Sequence, residues 1–181
     1  MSTSLDTRPA DDLRTLYYAR FGFAVVWAGL VALTAPTQPT LAIAALLVLY
    51  PLFDVAAAVI DLRTSGPTGP RGPLYLNMVV STLAALGIGI ACTAGIPDVL
   101  WVWGLWAITA GIVQLIVAIL RYRLGGQWAM ILSGGISTAA GAGFLLQAGG
   151  ENPSLGVLAG YATLGGIFFL VSAIRLHRAS R

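Results

Sequence analysis

Of the 181 residues, 57% are apolar and 9% charged, with a mean hydropathy of +0.85. A soluble domain carries roughly a quarter of its residues as charges, so the composition is that of a membrane protein. The ten basic residues are all arginines at the ends of apolar runs, so the net charge of +3 calls for no nucleic-acid partner. The single cysteine, Cys92, lies inside an apolar run, which leaves no disulfide framework and no thiolate metal cluster.

Residues 1–14 are polar, carry Asp6, Asp11 and Asp12, and read as a cytosolic tail rather than the basic start of a signal peptide. The first apolar run, 16–35, is therefore expected to be a retained helix that stops at Pro36, since proline cannot extend a hydrogen-bond ladder. A second run, 41–62, ends at Arg63, and residues 64–73 form a Gly- and Pro-rich linker. The third, 74–95, closes at Ile96-Pro97-Asp98, and the fourth, 99–120, is followed by Arg121-Tyr122-Arg123. Gly125-Gly126 turns the chain into the fifth, 128–148, and Gly149-Gly150-Glu151-Asn152-Pro153 into the sixth, 154–174. Each run has the roughly 20 residues needed to cross a hydrocarbon core of about 30 Å. None shows a polar face, so each is expected to face lipid or another helix.

The predicted fold class is thus an all-α membrane protein of six transmembrane helices. The bundle spans 15–178, as hairpins 15–63, 74–123 and 128–178, with a C-terminal tail 179–181. Basic residues fall before the first run, in the second and fourth connections and after the sixth, and none falls in the first, third or fifth. The positive-inside rule then predicts cytoplasmic termini. Trp101 and Trp103 at the outer end, and Tyr17, Tyr18, Tyr75, Tyr122 and Trp128 at the inner end, fit interfacial belts.

The hairpins also read as copies of one another. Residues 106–123 recur at 161–178, with Ala107/Ala162, Gly111/Gly166, Leu115/Leu170, Ala118/Ala173 and Arg123/Arg178 identical. A fainter copy places Ala58 and Arg63 on Ala118 and Arg123. Because every hairpin starts and ends on one side, the copies would be parallel repeats rotated about the membrane normal.

The spacing Gly22-x6-Gly29-x6-Pro36 resembles the first helix of the HdeD-like family. So does the segment holding Gly125, Trp128, Gly134 and Gly141, followed by Pro153 and a Gly-rich sixth helix ending in arginine. The likeness covers nearly the whole chain, although Val80 stands where Gly22 and Gly134 would align. It implies a small six-helix protein of the bacterial inner membrane and an association with acid resistance.

Chemistry-bearing residues are few. Asp54 lies nine residues before Arg63, about 13 Å up its helix, and an ionisable group at that depth is a functional hypothesis by default. Its repeat equivalents are Gln114 and Phe169. Three roles are open for it: a structural pair with Arg20, a proton- or cation-binding carboxylate that approaches Gln114, or a protonated or snorkelling side chain. Asp61 reads as an interfacial charge near Arg63, and His177 as part of a solvated basic tail. Asn77 is placed to bridge helices, and Ser81, Ser133, Ser137 and Thr138 read as packing groups. Gly22 and Gly29, Gly104 and Gly111, and Gly134 and Gly141 recur at heptad spacing. With Gly87, Gly156, Gly160 and Gly166 they are expected to let helices pack closely, Gly156/Gly160 offering a secondary route to dimers. No catalytic, cofactor-binding or metal-binding set is present. The expectation is a non-enzymatic protein whose partners are the bilayer and either a second copy of itself or another membrane protein. The alternative is a small transporter or channel using the Asp54 region.

Overall fold

The computed structural model describes residues 8–34, 39–65 and 69–179. The predicted stop at Pro36, the centre of the linker at 66–68 and the first half of the N-terminal tail, 1–7, lie outside the described residues, as do Ser180 and Arg181. Six long helices make up the fold: α1 (Arg8–Thr34), α2 (Leu41–Thr64), α3 (Arg71–Ala94), α4 (Ile96–Leu120), α5 (Trp128–Ala148) and α6 (Gly156–Ala179). No strand occurs among the described residues. All six are long and apolar enough to cross a membrane, and their outward faces are apolar, with Leu33, Leu41, Ile90 and Leu146 among the most exposed side chains. These are the features of a multi-pass membrane protein.

The ends of the helices follow local chemistry. Thr40 caps α2 by accepting from the Ile43 amide. Gly95, at φ 138°, is the only residue between α3 and α4. Pro97 does not sit in a loop, as expected, but in the first turn of α4, where its missing N–H costs nothing. Gly125 and Gly126 both take positive φ after a short 3-10 turn at Tyr122–Leu124, reversing the chain into α5. At the N-terminus α1 starts at Arg8, inside the expected tail. Leu13 and Tyr17 are buried there with Ala173 and Leu176 of α6, and Arg14 Nη1 lies 3.2 Å from His177 Nδ1, so His177 joins the two ends of the chain rather than a free tail.

Each helix packs on its neighbours in the chain, and α6 packs on α1, so the six close into a ring. The closest seams join successive hairpins: α2 with α3, α4 with α5, α6 with α1. Between α4 and α5 the glycines are reciprocal. A Cβ on Gly111 would lie 2.8 Å from the Gly134 carbonyl oxygen, and one on Gly141 only 2.6 Å from that of Gly104. Small residues are required here because the backbones themselves touch. A Cβ on Gly166 would come 3.2 Å from Ala24 across the α6–α1 seam, and one on Gly87 3.1 Å from Val102 of α4.

The other predicted packing glycines behave differently. Gly22, Gly29 and Gly160 are exposed, with no atom within 4 Å of a modest Cβ, and Gly156 faces only the Ser154 hydroxyl. The rotation of α1 and α6 turns these positions away from their neighbours. Two aromatic expectations are also corrected. Trp103 is fully buried, stacked on Trp27 and edge-on to Trp106, and Tyr17 is buried and donates to Gln127 Oε1 at 3.3 Å. Trp101, Tyr18, Tyr75, Tyr122 and Trp128 are exposed.

Candidate functional site: a polar cavity between two ion pairs

Asp54 and Asp61 stand seven residues apart, about two turns, and both line one cavity of about 120 Å³ inside the ring. Its walls come from all six helices. One turn before Asp54, the buried Pro51 leaves the Leu47 carbonyl without its usual helical donor. Such an interruption is tolerated inside a bundle where neighbouring helices supply the packing.

Arg20 of α1 donates from Nη2 to Asp54 Oδ1. The second oxygen, Oδ2, accepts from Asn77 Nδ2 at 2.6 Å and from Ser81 Oγ at 2.8 Å, both on α3. Ser81 in turn accepts from Trp106 Nε1 of α4 at 3.0 Å. Arg20 also lies over the Phe169 ring of α6, its Cζ 4.9 Å from the centroid. One carboxylate thus gathers side chains of five helices. It is not sealed, because Arg20 and Asp54 side chains each keep 17% exposure.

Gln114 lines the same cavity but does not reach Asp54. Its Nε2 donates to the Met130 carbonyl at 3.2 Å, bridging α4 to α5. The three repeat-equivalent positions Asp54, Gln114 and Phe169 all lie on the cavity wall.

The second pair differs from the sequence-based expectation. Asp61 is buried and pairs not with Arg63 but with Arg121, whose Nη1 and Nη2 reach its two oxygens at 2.8 and 2.6 Å. Ser65 Oγ donates to Asp61 Oδ1 at 2.8 Å and accepts from Arg121 Nη2 at 2.6 Å. Arg63 is adjacent in sequence but points off another face, because neighbours two apart on a helix never share one. Arg121 stands 60 residues after Asp61, and nothing in the sequence marked it as the partner.

Ser81 and Asn77, weighed as packing or bridging groups, are thus ligands of the carboxylate. Ser137 does serve packing, with its Oγ 3.0 Å from the Ala107 carbonyl and 2.7 Å from Tyr161 Oη. Thr138 bonds its own helix at the Gly134 carbonyl, 2.9 Å away. Among the described residues no three His, Cys, Asp or Glu side chains gather as a metal would require. No family model, curated protein or solved structure matches this chain.

Proposed function

We propose that the chain is a non-enzymatic protein of a bacterial inner membrane with cytoplasmic termini, acting through its bundle as a scaffold or partner of other membrane proteins. One observation carries this reading: both oxygens of Asp54 are already taken, by donors from α1 and α3. A carboxylate held by an arginine, an amide and a hydroxyl is a tie between helices, and removing it costs more than it frees. The arginines at the C-terminal ends of α2, α4 and α6 support the orientation. Three parallel hairpin repeats around one axis would explain why equivalent positions of α2, α4 and α6 face the same cavity. The acid-stress role rests on the resemblance to the HdeD-like family, and equal survival of a deletion strain and its parent at low pH would remove it.

A small transporter is the second reading, and the partly exposed Arg20–Asp54 pair on a cavity wall favours it. Proton and cation flux into liposomes, measured for the wild type and Asp54→Asn, separates the two. The scaffold reading expects no flux from either protein and a lower unfolding temperature for the variant. Flux by the wild type that the substitution abolishes would establish transport instead.

A further inference from the structure

The cavity holds more hydrogen-bonding capacity than the protein uses. Tyr50, Gln114 and Ser133 all line it. Among the described residues no protein group bonds the Tyr50 hydroxyl, the Ser133 hydroxyl or Gln114 Oε1, and each of the three atoms keeps some accessible surface. Arg20 commits only Nη2 to Asp54. In a hydrocarbon layer an unmet polar group is costly, so these groups, brought to one cavity from α1, α2, α4 and α5, need water or a ligand.

Charge and shape narrow the choice. Both carboxylates are paired with arginines, so the wall is neutral in sum and offers an ion nothing to offset its desolvation. Phe23, Phe53, Trp106, Phe168 and Phe169 supply flat apolar walls. The cavity, about 120 Å³, is somewhat smaller than the closed one of roughly 150 Å³ that admits benzene, but it is not sealed, since Arg20 and Asp54 on its wall keep 17% exposure. Of the free groups, Arg20 can only donate and Gln114 Oε1 can only accept, while the Tyr50 and Ser133 hydroxyls can do either.

We propose that this cavity binds a compact, uncharged alcohol or phenol: an apolar body against the rings, its oxygen accepting from the donors, its hydroxyl meeting Gln114. Binding here requires no translocation, so it stands apart from both readings of the protein's role.

The test uses the full chain in micelles, with NMR of the Trp106 indole N–H, whose ring lines the cavity. Phenol, benzene and benzoate are titrated in turn. Phenol is expected to shift the signal saturably. Benzene, which forfeits every one of these hydrogen bonds, should bind at least tenfold more weakly, and Gln114→Leu should weaken phenol by about tenfold, the worth of one buried hydrogen bond. Ala110→Leu, which fills the cavity, should abolish the shift, and benzoate should give none. The proposal is overturned if phenol gives no saturable shift, if benzene or benzoate binds as well as phenol, or if Gln114→Leu leaves phenol binding unchanged. Should Ala110→Leu fail to fold, Gln114→Leu and the benzene comparison decide alone.

Discussion

Asp54 and Asp61 share a helix and each meets an arginine, yet the two pairs are built on different plans. Asp61 is gripped by both terminal nitrogens of Arg121 and is buried with it, at 8% and 7% exposure. Asp54 takes one nitrogen of Arg20 and leaves its other oxygen to two neutral donors, and its pair is the more exposed of the two on the shared cavity wall. The first is a two-pronged lock, with the Ser65 hydroxyl bridging both partners. The second is a network in which no single donor carries the whole charge. That difference orders the expected losses.

Arg121→Ala should be the most damaging change, because it strands a buried carboxylate, and about 3–5 kcal/mol of stability should go. Reversible unfolding in bicelles measures it, and the compensated pair Asp61→Leu with Arg121→Met should recover most of the loss. Arg20→Ala should cost less, about 2 kcal/mol, since Asn77 and Ser81 still hold Asp54. A loss equal to that of Arg121→Ala would erase the distinction between lock and network. Ser81→Ala removes one donor to Asp54 and the acceptor for Trp106, and should cost about 1 kcal/mol. Trp106→Phe deletes the outermost link, worth about 0.6 kcal/mol, the mean for such bonds between membrane helices, in addition to what the smaller ring loses in packing on Trp103 and Tyr50, read in the same assay. A double-mutant cycle should then show Asp54 coupled to both Arg20 and Ser81, and Asp61 coupled chiefly to Arg121.

The glycines show how far spacing alone reaches. Gly22/Gly29 and Gly134/Gly141 have the same heptad spacing, and each pair was expected to pack. The second pair lies backbone to backbone on Gly104 and Gly111, while the first lies on an exposed face. Heptad spacing puts two residues on one side of a helix, but it does not say what that side meets. Arg20 and Asp54 were legible as candidates because a charge in an apolar run is conspicuous. Asn77 was legible as a bridge between helices but not as a partner of Asp54, and Ser81 was read only as a packing group, because a polar residue near the same depth on another helix carries no mark of its partner in the sequence. Trp103 was misplaced for a related reason. Trp101 and Trp103 are two residues apart, so they point to different sides of α4, and one is exposed while the other is buried.

The amino-acid sequence by itself determined how many helices there are, where they run and how they alternate, because an apolar stretch of about 20 residues in a bilayer must satisfy its backbone internally. The tertiary structure alone decided which partner each polar group found. Each residue turns a helix by about 100°, so the sequence says which side chains share a face, and only packing against neighbours says which face turns inward. Asp61 therefore met Arg121 rather than Arg63, and a cavity formed where the faces bearing Asp54 and Gln114 converge.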